Sequence, residues 1–248
     1  MATNADTLLA GSAPRPRALD RENLFFARYA TGFALFILFG FAQFEARGLP
    51  PFGKFGWEIH AHAAAMVGWL ALSVAQPWLA ASGNPALHRR LGWTAAGLLA
   101  VIPVVGSLAG FAALRDGLVP PFFSPAYFLA LVHVGAIMFT AMVAWAIVVR
   151  RKLDWHRRLM LGSTVLIMEP ALGRLLPMPL LGGGGEWLAM VIQLAALGWL
   201  AAHDRRTLGR VHPATVVAAA AIVAVHAAVE TLAVFPPMVG LAARVAGG

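Results

Sequence analysis

Residues 127–149 read YFLALVHVGAIMFTAMVAWAIVV, 23 residues without a charged side chain, interrupted only by His133 and Thr140 among strongly polar groups. About 20 mostly apolar residues are enough to cross the hydrocarbon of a bilayer as a helix. This run is therefore read as a transmembrane helix, and the same pattern recurs on both sides of it. Before it come runs at Tyr29–Glu45, Ile59–Ala80 and Trp93–Leu114. After it come Leu159–Leu176, Trp187–Ala202 and Ala214–Phe235. The breaks carry turn residues: Gly48-Leu49-Pro50-Pro51, Ser82-Gly83-Asn84-Pro85, Pro120-Pro121 and the Pro/Gly-rich stretch from Leu176 to Gly185.

The composition agrees with seven spans. Apolar residues make up 60% of the 248, and charged residues only 12%, against roughly 25% in a soluble domain. There is no cysteine, which excludes disulfides, thiolate metal sites, iron–sulfur clusters and covalently attached c-type haem. The net charge of +8 does not point to nucleic acid, because the basic residues form no single patch. Fourteen of the nineteen Lys and Arg fall in the N-terminal stretch and the breaks after the second, fourth and sixth runs; five fall on the other side. By the positive-inside rule the first set is cytoplasmic. The expected fold is an all-α integral membrane protein, a seven-helix bundle with its N-terminus in the cytoplasm and its C-terminus in the periplasm of a bacterial inner membrane. Residues 1–28 read as a polar, basic cytoplasmic tail ending in an interfacial Leu24-Phe25-Phe26, without the features of a signal peptide. Residues 29–248 read as one transmembrane domain.

The chain also repeats itself. His62 opens the second run and is followed by His88-Arg89-Arg90-Leu91-Gly92. His133 stands near the start of the fourth and is followed by His156-Arg157-Arg158-Leu159. A worn third copy ends in Arg205-Arg206-Thr207-Leu208 and His212-Pro213. This predicts three helical hairpins, two–three, four–five and six–seven, with helix one added.

Ionisable groups inside a membrane are functional candidates by default, since each is costly to bury. At 1.5 Å of rise per residue, His133, Glu169, His226 and Glu230 all fall roughly 8–13 Å below the periplasmic boundary. His62 and His60 lie nearer that surface, and His62 is the better placed to face the others. His226 and Glu230, four residues apart, share a helix face. Arg174 reads most simply as snorkelling to the interface. On the cytoplasmic side, arginine alone would serve as a topology anchor, so the histidine in each copy is the excess signal.

Three function classes follow. Two histidines per face on alternate helices suit two stacked haems, His62 with His133 and His88 with His156. Each iron takes two axial imidazoles, and Arg89 and Arg157 would hold propionates. Such a protein would move electrons across the bilayer with a membrane redox partner or as a homo-oligomer. Alternatively His62, His133 and His226 would bind zinc, three histidines with an open position, with Glu169 as the base. The third class is a non-catalytic assembly or scaffold protein. A channel is disfavoured, because no helix shows a continuous polar face. Gly182–Gly185 lacks the lysine and hydroxyl of a phosphate loop and reads as a flexible loop.

The ligand order two–four and three–five resembles the two-haem transmembrane cytochrome b family, the ascorbate-reducible type; the resemblance covers helices two to five and implies haem b as cofactor. Over most of its length the chain is similar to a family of bacterial polytopic membrane proteins. In these a helix reading like His62…Trp69…Gln76 precedes a His-Arg-Arg-Leu-Gly loop, and a stretch like His156-Arg157-Arg158-Leu159-Met160-Leu161 precedes an arginine like Arg174.

Overall fold

The computed structural model describes residues 21–48, 53 and 55–247. The tail up to residue 20, the Leu49-Pro50-Pro51 turn and Lys54 lie outside the described residues. The described chain is helical throughout, and six of its helices are long and apolar enough to cross a membrane: α1 (Arg21–Ala46), α2 (Trp57–Ala81), α3 (Pro85–Arg115), α4 (Pro125–Val148), α8 (Gly184–Leu208) and α9 (Pro213–Ala233). The predicted hairpins are present, with α2 packed on α3, α4 on α5 and α8 on α9. The helices are turned inside out relative to a soluble bundle. Leu35, Phe39, Ile137 and Trp199 are largely exposed, while Ala27, Ala30 and Ala130 are buried. A bilayer is the solvent such a surface fits.

Side-chain caps set the starts of α3, α4 and α9. The Asn84 side chain accepts from Leu87 N–H, with Pro85 at the first helical position. Hence α3 begins before His88, eight residues ahead of the expected Trp93. α5 (Leu153–Leu166), which has no side-chain cap, takes in His156, and α1 takes in Leu24-Phe25-Phe26 and begins at Arg21. The inner histidines therefore stand on helices rather than in loops. Gly184 and Gly185 open α8, in place of a loop that runs through to Gly185.

The expected fifth span, Leu159–Leu176, is not one helix. It is split into α5 and α6 (Glu169–Leu175) at Ile167-Met168. Pro170 is the cause: it has no N–H for the Leu166 carbonyl four residues earlier. A short α7 (Met178–Leu181) follows, and α10 (Pro236–Ala246), which hydropathy did not suggest, packs on α3 and α4. Two glycines permit close helix contacts. A Cβ added at Gly162 would stand 2.5 Å from that of Ala218, and one at Gly40 would stand 2.8 Å from that of Ala171. Small residues at such crossings let backbones approach inside a membrane.

One end of the bundle gathers the starts of α1, α5 and α9 and the end of α8. We call it the basic end. Arg158 is fully buried there. Its Nε donates to Asp204 Oδ1 at 2.8 Å, and its Nη1 donates to the Asp154 carbonyl at 3.1 Å. Asp204 Oδ2 accepts from Thr215 Oγ1 at 2.6 Å and from His212 N–H at 3.0 Å. Arg157 is paired with Glu22 and Asp154, and both guanidinium groups lie over the Phe26 ring. Removing one partner of a fully buried pair strands the other charge at a cost of about 3–5 kcal/mol. Asp204→Ala and Arg158→Ala should each lower the thermal unfolding midpoint sharply, and the Arg158→Met/Asp204→Leu double variant should recover most of that loss. A double variant no more stable than the singles would contradict this account.

Candidate functional site

The inner histidines come together. The rings of His88 and His156 lie 6.4 Å apart between centroids and stand at 82°. Each has its Nδ1 fixed by a carbonyl at the end of the preceding helix: His88 to Gln76 O at 3.1 Å, His156 to Ala146 O at 2.8 Å. A carbonyl only accepts, so each Nδ1 carries the proton and each Nε2 is left as a lone-pair donor. Histidine ligands in metal sites are oriented this way. Two imidazoles on one metal, each bond about 2 Å long, place ring centres roughly 6 Å apart. Of the two arginines expected to hold propionates, Arg89 is exposed, while Arg157 is engaged by Glu22 and Asp154.

The outer pair is arranged differently. His62 and His133 meet neighbouring residues of α3. A Cβ at Gly106 would lie 3.3 Å from the His62 ring, and Ser107 Oγ lies 2.9 Å from His133 Nε2. His133 Nδ1 also reaches Leu129 O at 2.8 Å, so both its ring nitrogens are engaged. His62 Nδ1 is buried and makes no hydrogen bond with the described residues. On the same face of α2, at seven-residue steps, Trp69 Nε1 and both amide atoms of Gln76 are likewise buried and unpaired. Trp69 packs edge-on against Phe139 of α4, 5.0 Å between centroids.

A third polar zone lies toward the other end of the bundle, where α6, α8 and α9 meet. Gln193 of α8 donates from Nε2 to the Val165 and Leu166 carbonyls, at 3.2 and 3.0 Å, and so covers the break made by Pro170. With its nitrogen turned to those acceptors, its Oε1 faces His226 Nε2 at 3.0 Å. His226, expected as a cluster member or zinc ligand, thus holds the glutamine that closes the helix break. Seven residues before Gln193, on the same face of α8, stands Glu186. Four after His226, on the same face of α9, stands Glu230. Glu169 begins α6, and its carboxyl lies within hydrogen-bond reach of that of Glu186. The Arg174 guanidinium lies 4.1 Å from the centroid of Phe41 and 5.4 Å from that of Phe44.

Among the described residues no three His, Asp or Glu side chains are grouped to hold one metal ion. His62, His133, His226 and Glu169, the set weighed for zinc, have separate neighbours. The residues not singled out from the sequence are Glu22, Glu186, Gln193 and Asp204. The seven-residue spacing of Glu186 and Gln193 was a signal for two of them. The lone acid before Arg205-Arg206 was a signal for Asp204.

At the basic end, burial and the nearby Arg158 charge hold His212 below the usual histidine range. Its Nδ1 therefore stays unprotonated and accepts Ala214 N–H at 3.1 Å, capping α9. Acid that protonates this nitrogen removes the cap.

Gln193→Leu would leave the Leu166 carbonyl unpaired, at a cost of about 1–3 kcal/mol, while the Val165 carbonyl keeps Met168 N–H at 3.2 Å. The expected result is a lower unfolding midpoint and faster proteolysis near Ile167-Met168. An unchanged midpoint would mean that the break is stabilised by something else. Comparison with known proteins found no matching family model, no matching curated protein and no matching solved structure.

Proposed function

We propose that the chain is a multi-pass protein of a bacterial inner membrane that binds haem at His88 and His156 and transfers electrons. The observation that carries this reading is the inner pair: two ring nitrogens left as lone-pair donors, at the centroid separation of 6.4 Å that two ligands of one metal require. A bound haem supplies one-electron chemistry there. The protein's part is to hold both imidazoles in one tautomer through the Gln76 and Ala146 carbonyls and to keep apolar helices around them. Arg89 is exposed and is a cation available to a propionate. Passage of electrons over the full width of the bilayer would need a second centre at His62 and His133. Because both nitrogens of His133 are engaged, the inner centre is the better supported.

The proposed topology is seven crossings with the N-terminus in the cytoplasm and the C-terminus in the periplasm. α5 and α6 together run from Leu153 to Leu175, about 35 Å at the helical rise, and would serve as a broken fifth crossing. Irregular backbone is tolerated at membrane depth when it is buried in protein. Reporter tags at the N-terminus and in the Arg150–Lys152 turn should read cytoplasm, and a C-terminal tag periplasm; a cytoplasmic C-terminus would remove one crossing.

The haem reading is tested by the absorption spectrum of protein purified from haem-replete cells. A Soret band that sharpens and shifts on reduction is expected, with about one haem per chain. It should be lost in His88→Ala and in His156→Ala and retained in His133→Ala. A colourless preparation, or full haem content in the His88 and His156 variants, sinks the proposal.

A further inference from the structure

The carboxylates of the third polar zone are not used by the haem reading, and their inference stands apart from it. Glu186 is only 6% exposed. Both its oxygens are buried, and no hydrogen-bond donor among the described residues reaches either one. The group within hydrogen-bond reach is another carboxyl, that of Glu169, itself 8% exposed. Two carboxylates repel. A hydrogen bond between them exists only when a proton sits on one of them, as in paired-carboxyl active sites. The Tyr127 hydroxyl of α4 is also buried and unpaired, and it lies near Glu186, Glu230 and Glu169. The other charged or titratable neighbours are Arg174, held over the Phe41 and Phe44 rings, and His226, committed to Gln193.

We propose that Glu169 and Glu186 form a proton-binding site in the apolar part of the bundle and share one proton, which Glu230 exchanges with the water beyond the ends of α6 and α9. A proton fits better than a metal ion, since the surrounding residues supply no ligand set for one. The two carboxyls come from different hairpins, α6 from the second and α8 from the third, so the shared proton joins them where Pro170 interrupts the chain. Glu230 is half-buried and stands three residues before the end of α9 at Ala233, which makes it the member nearest a helix end.

Infrared difference spectroscopy on the whole protein in lipid reads the site directly. At neutral pH the wild type should show the carbonyl stretch of a protonated carboxylic acid, shifting on transfer to heavy water. Glu169→Gln and Glu186→Gln should each abolish it, because a glutamine amide donates the hydrogen bond that the carboxyl otherwise needs a proton to make. Glu230→Gln should keep the band and slow its shift in heavy water. No such band in the wild type at neutral pH overturns the proposal, whether or not the variants fold. So does a band that survives in both the Glu169 and Glu186 variants. An unchanged rate of shift in Glu230→Gln overturns the exchange route.

Discussion

A guanidinium without access to water ties this bundle together. Arg158 of α5 reaches Asp204 of α8, and through that carboxylate Thr215 and the start of α9; its face lies over Phe26 of α1. Four helices distant in sequence thus share one charge pair. Within a bilayer apolar burial gives helices little reason to prefer one neighbour over another. A buried ion pair does discriminate, because any other arrangement leaves a bare charge. The order of helices around the basic end follows from it, and so does the placement of His156, two residues before Arg158 on the same helix.

The two copies of the His-Arg-Arg-Leu motif have taken different roles at the same register. In the first, Arg89 and Arg90 are exposed and His88 bonds back to α2. In the second, Arg158 is buried and Arg157 is half-buried against Glu22 and Asp154, while His156 repeats the bond of His88 to the preceding helix. What the copies keep in common is the histidine geometry; what they lose is the exposure of the arginines. A topology anchor would need the reverse, which favours a shared role for the histidines.

Much of the fold was legible in the sequence. Hydropathy marks seven runs, six of which are long helices, and the hairpin repeat pairs α2 with α3, α4 with α5 and α8 with α9, because each follows from the local pattern of apolar residues and turns. The break at Ile167-Met168 was legible only in part. Pro170 stood in view, but the donor that makes the break tolerable, Gln193, is 27 residues downstream of Leu166 and looked like one amide in an apolar run. The site residues divide in the same way. The pairing of His88 with His156 follows from the repeat, which is a property of the chain. The company of His226 and Glu169 depends on how α8 rotates to face α5, which depends on packing. Judging each helix for a continuous polar face missed the polar zone, since α6, α8 and α9 each contribute one or two groups and none carries a stripe.

The broken helix also bears on how the chain is made. A membrane helix with its own hydrogen bonds and enough apolar surface can leave the insertion machinery unaided and find its neighbours later. The α5–α6 segment has neither property. It is not among the helices long and apolar enough to cross alone; it carries His156, Arg157 and Arg158; and the Leu166 carbonyl waits for Gln193. The residues that neutralise and complete it, Asp204, Gln193 and Thr215, are synthesised only afterwards. If this segment crosses as proposed, its entry waits on α8 and α9, and the order of synthesis and the order of assembly differ.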